Sequence, residues 1–236
     1  MELFNTPVEG SVVAMNTDGD NGYDISRRRF FQLAAGVTGG GLLLSACRKS
    51  PSNNVSLGKG DTGLFNYLYI IAQVQAGFYA QACATPYYNG SITQQSEVDL
   101  MADLRDHQLA YAGLFAKILD KYAISKIVLQ LSQVTFADRT STLTHATILQ
   151  DWAVGAYNGA MQLVSNKNFL TFLTKIAAVE GRHAEYVREA LNYNTFGDNT
   201  VIDSNGLGQA LSPHVALPLF QTYIQTTFDS SGVPSF

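Results

Sequence analysis

Apolar residues recur three and four positions apart in four segments of the chain, which predicts four amphipathic helices. Near the middle of each stripe, polar side chains occupy positions where core residues are expected. The interruptions are Gln75 in the first segment, Gln108 and Tyr111 in the second, Gln150 in the third, and Glu180 and His183 in the fourth. Buried polar groups need partners. We therefore expect these side chains to meet at one level of a four-helix bundle.

The four segments read as two similar helix pairs. Gln75 and Gln150 are 75 residues apart, and Gln108 and Glu180 are 72 residues apart. In each pair the first helix offers one polar core residue, and the second offers two that lie three positions apart and share a face. Bundles that hold two carboxylate-bridged metal ions have this layout, with a Glu from each of two helices and Glu-x-x-His from each of the others. In this chain one such motif survives, as Glu180 and His183.

Four stretches carry a resemblance to a known family. They are AGFY (residues 76–79), DLRDHQ (103–108), FADRTSTLTHATILQDWAVGAYNGA (136–160) and KIAAVEGRHAEYVREAL (175–191). From about Leu64 to Leu191 the chain resembles the ferritin-like proteins of bacterial envelopes, which are sometimes grouped with desiccation-related proteins. The resemblance implies an all-α fold, a ferritin-like antiparallel four-helix bundle with a long crossover between helices 2 and 3 and a short C-terminal segment.

The resemblance also implies Glu at positions 75, 108 and 150 and His at position 111, where this chain has Gln75, Gln108, Gln150 and Tyr111. Gln has almost the shape of Glu but no charge, and a phenol is protonated at neutral pH. We expect these changes to abolish tight binding of two metal ions and to leave a vestigial pocket with a hydrogen-bonded polar layer. The alternative is a residual site for iron or another divalent metal at Glu180 and His183.

The remaining histidines differ in their ability to assist a metal site. His107 lies one turn before Tyr111 and can lean toward the pocket. His145 lies five residues before Gln150, a spacing that does not place the two side chains on the same helix face. His214 lies in the C-terminal tail, where we expect a structural or exposed side chain.

Three connections organise the predicted bundle. Residues 122–138 alternate β-branched and polar side chains, which predicts an extended crossover and not a helix. Turn residues at 85–90 and 165–168 predict short loops, so helices 1 and 2, and helices 3 and 4, should form antiparallel pairs. After the bundle, residues 192–236 form an extension in which Pro213 opens a short helix or loop that packs on the bundle.

The N-terminal 47 residues read as an export signal. SRRRFFQ (residues 26–32), with Arg27 and Arg28, is typical of a twin-arginine signal and precedes an apolar run at 33–46. LSAC (44–47) resembles a bacterial lipobox, which predicts lipidation of Cys47 and a tethered mature protein. An uncleaved membrane anchor is the alternative, but the run is short and rich in glycine for a span of about 20 residues. Polar residues 48–61 then form a flexible tether to a bundle at 62–191.

The charge and cysteine content of the chain limit the classes of partner and of covalent cross-link that it can have. A formal net charge of −4, with 14% charged residues, offers no basic surface for nucleic acid. The two cysteines are Cys47 and Cys83, which excludes a disulfide framework if Cys47 is lipidated.

The sequence thus predicts a non-catalytic ferritin-like lipoprotein of the cell envelope, without a cofactor, on the periplasmic side or in the outer membrane. It would contact the membrane through its lipid anchor and bind a paralogous ferritin-like protein or a second copy, or serve a structural role under stress. The alternative function is a metal-dependent protein that handles iron or acts as a di-iron oxidase through the partial site at Glu180 and His183.

Overall fold

The computed structural model describes residues 54–89 and 95–236. A two-residue strand β1 (Val55–Ser56) leads into α1 (Gly60–Ala84) and the short α2 (Pro86–Asn89). The next helices are α3 (Gln95–Leu119), α4 (Arg139–Leu163), α5 (Lys167–Leu191) and α6 (Pro213–Gln221), and the strand β2 (Phe228–Asp229) comes last. A 3-10 turn (Asp120–Tyr122) follows α3. The predicted export signal, with Arg27, Arg28 and Cys47, lies outside the described residues.

The four long helices confirm the all-α four-helix bundle. Helices α1 and α3 form one closely packed pair, and α4 and α5 form the other. Arg139, which begins α4, forms an ion pair of 2.7 Å with Glu97 at the start of α3, so both helices begin at the same end of the bundle. The second and third long helices, α3 and α4, are therefore parallel, as the predicted crossover requires. In the part of the chain that the structure describes, no helix is long and apolar enough to cross a bilayer.

The crossover at residues 123–138 runs along α1. The Ile124 N–H donates to Asn66 and the Ile127 N–H donates to Gln73, while the Leu129 side chain lies against Gly77 further along α1. Asn66 is only 2% exposed and also donates to the carbonyls of Leu57 and Tyr122. Polar side chains on α1 thus satisfy part of the backbone of this segment, and an antiparallel bridge between Leu129 and Ile224 satisfies a further part.

The folded domain begins earlier than the predicted tether allowed. Strand β1 pairs in parallel with β2, with Val55 opposite Phe228, and Leu57 is fully buried. Although residues 48–61 are mostly polar, Val55 and Leu57 supply enough apolar surface to anchor this segment to the C-terminal end of the chain. The flexible tether predicted over 48–61 therefore overlaps ordered structure from residue 54.

Short polar caps fix the ends of the helices. The Asp138 carboxylate accepts the Ser141 N–H at the start of α4, at 2.6 Å, and Asn166 accepts the Asn168 N–H at the start of α5. Each cap satisfies a backbone N–H that lacks a partner within its helix. Asp61 accepts the N–H groups of Ser165 and Asn166, and it thereby ties the first turn of α1 to the loop between α4 and α5.

The C-terminal extension packs on α4, as predicted. Trp152 contacts the rings of Phe220 and Tyr223 at centroid distances of 5.8 and 6.3 Å. One turn later on α4, the Gly155 carbonyl accepts the Leu211 N–H at 2.8 Å. Gly159 lies directly under the same segment, where a Cβ atom would collide with the carbonyl oxygen of Leu211. Two glycines four residues apart therefore form a groove that admits the backbone of the extension.

We expect Gly159→Ala to destabilise the full-length protein by about 2 kcal/mol, because the new methyl group meets backbone atoms and the extension must move. Gly113→Ala on α3 is the matched control, since a Cβ there meets no atom within 4 Å. It should stabilise the fold by about 0.5 to 1 kcal/mol through helix propensity. Urea unfolding measures both changes. Equal effects of the two substitutions would contradict the close contact at Gly159.

Candidate functional site

A polar layer crosses the bundle at mid-height. The four long helices supply one side chain each, Gln75, Gln108, Gln150 and Glu180, and all four are fully buried. Gln75 Nε2 donates to Gln150 Oε1 at 2.6 Å, and Gln108 Nε2 donates to Glu180 Oε1 at 2.7 Å. The prediction that these four side chains converge matches their placement. We call the two contacts the amide bridges.

Each amide bridge joins residues that hold equivalent places in the two helix pairs. The bonded residues are 75 positions apart in one bridge and 72 in the other, which are the offsets of the sequence repeat. Both bridges therefore cross the axis that relates the two halves of the bundle. The same side chains, extended as carboxylates, are those that a two-metal bundle directs at its ions from each half.

The bridges leave hydrogen-bonding capacity unused inside the layer. Four buried atoms have no hydrogen-bond partner among the described residues: Gln75 Oε1, Gln108 Oε1, Gln150 Nε2 and Glu180 Oε2. Buried polar atoms in folded proteins usually have hydrogen-bond partners. A cluster of unpaired polar atoms is therefore unusual for a core whose role is packing alone. One of the four atoms belongs to an amide donor, Gln150 Nε2, which presents hydrogen and not a lone pair.

Three tyrosines surround the layer. Tyr111, which the sequence placed in the pocket, is 7% exposed, and Tyr79 and Tyr157 are fully buried. Burial raises the pKa of all three phenols, and the negative charge of Glu180 raises each pKa further. The phenols are therefore protonated at neutral pH and act as neutral neighbours of the one carboxylate.

Sequence reasoning missed the role of Tyr79 and Tyr157 at the layer. Tyr79 lies one turn after Gln75, and Tyr157 lies two turns after Gln150. Their spacing could have placed both on the inward faces, but an aromatic residue on an apolar stripe reads equally well as core filling.

His183 links the layer to the surface. It is 9% exposed, and its Nε2 atom lies 3.0 Å from Nδ1 of His107, with the two rings stacked at 5.0 Å. Burial and the neighbouring His183 lower the pKa of His107, against the opposing effect of Asp103 and Glu180. One imidazole therefore donates an N–H to the other. His183 Nδ1 lies 3.6 Å from Glu180 Oε1, too far for a hydrogen bond.

The other histidines lie away from the layer. The predicted lean of His107 toward the pocket matches its contact with His183. His145 forms a 2.6 Å contact with the Tyr223 hydroxyl of the extension, and His214 is exposed. Cys83 is a half-buried free thiol near the end of α1.

A surface cleft of about 390 Å³ between α3 and α5 ends at the histidine pair. Asp99 and Asp103 line it on α3, and Arg182 and Tyr186 line it on α5. His107 and His183 thus separate this cleft from the buried amide bridges. The route from solvent to the layer is closed by two stacked imidazole rings.

The residues of the layer do not fit a pair of iron ions. Two divalent ions bring four positive charges, whereas the layer holds one carboxylate, three neutral amides and protonated phenols. Gln75 and Gln108 donate their side-chain N–H groups to Oε1 of Gln150 and Oε1 of Glu180. These two oxygen atoms are ones that would otherwise coordinate such ions. Among residues 54–89 and 95–236, no three His, Cys, Asp or Glu side chains are grouped closely enough to hold a metal ion.

Comparison with known proteins identifies the family. A search of the curated proteins gives no match. Residues 60–193 match the sequence profile of the ferritin-like domain. The matched region begins with the first residue of α1 and ends two residues after α5, so it covers all four long helices and both amide bridges. The chain belongs to the ferritin-like domain family.

Proposed function

We propose that this protein is a non-catalytic ferritin-like module, exported and lipid-tethered in a bacterial cell envelope, in which an amide layer has replaced a di-iron centre. The single observation that carries the proposal is the pair of amide bridges. Both connect equivalent positions of the two helix pairs, where a two-metal bundle has carboxylates, and both use neutral amides.

The exchange of Glu for Gln keeps the shape of the core and removes its need for cations. Several carboxylates in one buried pocket repel each other unless metal ions or protons neutralise them. Amides both donate and accept, so they pair with each other and with Glu180 without a counter-ion. In this proposal the hydrogen bonds of the vestigial pocket stabilise the folded bundle. The module would act by binding a partner, such as a paralogous ferritin-like protein or a second copy, or structurally under stress such as desiccation.

One observation favours a second candidate, a metal-dependent protein with a partial site. His107 Nδ1 and His183 Nε2 lie 3.0 Å apart beside the cleft, and Glu180 Oε1 is 3.6 Å from the other nitrogen of His183. Imidazole and carboxylate are ligands for iron and other divalent metals. The two candidates differ in whether the fold retains a metal.

The first prediction concerns metal content. The full chain, incubated with ferrous iron and desalted, should retain far fewer than two ions per chain by elemental analysis. A chelator should change the free energy of unfolding by less than about 0.5 kcal/mol, because no ion is bound only to the folded state. Retention of two ions per chain would overturn the proposal. One ion per chain that is lost in His107→Ala and His183→Ala, but not in the exposed control His214→Ala, would support the second candidate.

The second prediction restores the ancestral pattern with Gln75→Glu, Gln108→Glu, Gln150→Glu and Tyr111→His together. Metal uptake should appear, and without metal the free energy of unfolding at pH 7 should fall by about 3 kcal/mol or more, because four carboxylates share one buried pocket. Burial and repulsion raise the folded-state pKa of these carboxyls above the unfolded value of about 4.3, so the folded state binds more protons. The metal-free variant should therefore gain stability as pH falls toward that value.

Urea unfolding between pH 5 and 8, with and without metal, measures this variant. Gln81→Glu, at an exposed position of α1 outside the layer, provides a single-charge control. A quadruple variant that takes up no metal and loses no stability would show that these side chains do not act as one pocket.

The third prediction concerns export and tethering. Arg27→Lys with Arg28→Lys should block translocation and leave unlipidated protein in the cytoplasm, because the twin-arginine route reads both guanidinium groups. Cys47→Ser should permit export but remove the acyl chains, so the protein should leave the membrane fraction. Cell fractionation and labelling with a palmitate analogue distinguish the two outcomes. Cys83→Ser is the control and should remain lipidated; loss of label there, or label retained in Cys47→Ser, would refute Cys47 as the anchor.

A further inference from the structure

A second cavity lies on the outer side of the α4–α5 pair, where the C-terminal extension crosses the groove between the two helices. Its volume is about 500 Å³, which is within the range of sites for small ligands. Trp152 and Val154 line it on α4, and Ile202 and Leu211 line it on the extension. The cavity shares no lining residue with the amide bridges or with the cleft at the histidine pair.

Hydrogen bonds hold the outer wall of this cavity in place. Leu211 donates its N–H to Gly155 on α4, and Gln209 donates its side-chain N–H to the Thr200 carbonyl. Arg188 on α5 donates to the Thr195 carbonyl at the start of the same wall. The extension is therefore fixed to both helices, and these bonds hold the outer wall of the cavity in position.

The buried cation at the cavity, Arg188, directs four of its five N–H groups at acceptors of the protein. Arg188 is 7% exposed, and its guanidinium binds Asp151 at 2.6 Å, Asp198 at 2.8 Å and Thr200 at 3.0 Å. Its Nε atom binds Thr195. With its donors directed at these acceptors, the guanidinium offers little to a bound anion.

The remaining charge around the cavity is negative. Three carboxylates, Asp151, Asp198 and Glu185, accompany the single Arg188, an excess of two negative charges. Asp151 Oδ1 has no hydrogen-bond partner in the described part of the chain, and burial raises the pKa of Asp151 against the lowering effect of Arg188. Glu185 is exposed at the mouth and makes no ion pair with any residue in the described ranges. An apolar wall with an uncommitted carboxylate suits a cation that has an apolar body.

Gly181 exposes the backbone of α5 to this cavity. It lies in the helix interior, where glycine costs about 1 kcal/mol relative to alanine. Packing does not require it, because a Cβ atom at this position would meet nothing within 4 Å. A ligand in the cavity can therefore approach the backbone of α5 at position 181 more closely than it could if this residue had a side chain. Gly181 and Glu185 are one turn apart on the same helix face.

We infer that this cavity is a binding site for a small organic cation, such as an aryl-alkyl ammonium compound, with its ring against Trp152 and Leu211 and its ammonium group toward Glu185. The site goes beyond the proposed function, since it uses no residue of the amide bridges and requires no metal.

Trp152 provides a direct readout, because it is the only tryptophan in the chain. The full-length protein is titrated with 2-phenylethylammonium, with the anion 3-phenylpropionate and with neutral 2-phenylethanol, while Trp152 fluorescence and its single indole N–H resonance are recorded. We expect a saturable change with the cation and an affinity for the anion at least about fivefold weaker, as one ammonium–carboxylate contact supports.

Two pairs of variants locate the site. Glu185→Gln should weaken the binding of the cation about fivefold, whereas Asp120→Asn, the same charge change at an exposed residue outside the cavity, should leave it unchanged. Gly181→Ala should weaken binding because its methyl group enters the cavity, whereas Gly113→Ala should not. Both alanine variants should fold at least as stably as the parent protein, so loss of binding cannot arise from unfolding.

The inference fails if none of the three probes produces a saturable change at Trp152. It also fails if the cation and the anion bind with equal affinity, because the carboxylates would then not discriminate between the two charges. Equal effects of Glu185→Gln and Asp120→Asn, or of Gly181→Ala and Gly113→Ala, would place any bound cation elsewhere on the protein. None of these outcomes changes the metal experiments, so the two proposals stand or fall separately.

Discussion

The amide bridges set the register in which the four long helices pack. Apolar side chains along a helix tolerate sliding, because one aliphatic contact replaces another of similar energy. A shift of α1 by one turn, about 5.4 Å, would separate Gln75 from Gln150 and leave two buried amides unpaired. Each buried polar group without a partner costs about 1 to 3 kcal/mol. The bridges therefore contribute specificity: they favour one vertical alignment among several that would bury equal apolar surface.

A single buried carboxylate remains in this layer, and its surroundings explain how the bundle tolerates it. Glu180 accepts an amide hydrogen from Gln108 and faces protonated phenols instead of other carboxylates. Glu180 Oε1 is thus hydrogen-bonded, whereas Glu180 Oε2 has no hydrogen-bond partner among the described residues. The second cavity is built differently, since its carboxylates lie at the protein surface or against Arg188.

Much of this arrangement could be predicted from sequence, because helix periodicity is a local signal. The stripes placed Gln75, Gln108, Gln150 and Glu180 on inward faces, and the repeat offset matched the residues that bond across the bundle. The extended crossover followed from alternating β-branched and polar residues, whereas the turn predicted over residues 85–90 contains the short helix α2. These features depend on residues within a few turns of each other or on a simple repeat.

The features that sequence reasoning missed depend on contacts between distant segments. The pairing of β1 with β2 joins residues near positions 55 and 228, and neither two-residue strand has a periodic signal of its own. The groove at Gly155 and Gly159 is defined only by the Leu211 backbone that enters it. The stacking of His107 on His183 depends on the rotation of α3 against α5, which side-chain packing decides.

The parallel pairing of β1 with β2 also has a mechanical consequence. Val55 donates its N–H to the Thr227 carbonyl and Leu57 donates to the Asp229 carbonyl, at 2.9 and 3.0 Å. A force applied to the chain before residue 54, along the strand, stretches both hydrogen bonds at once in shear instead of opening them one after the other. The C-terminal end of the polypeptide thereby shares any tension that enters at the N-terminal end, and α1 is shielded from unwinding at its first turn.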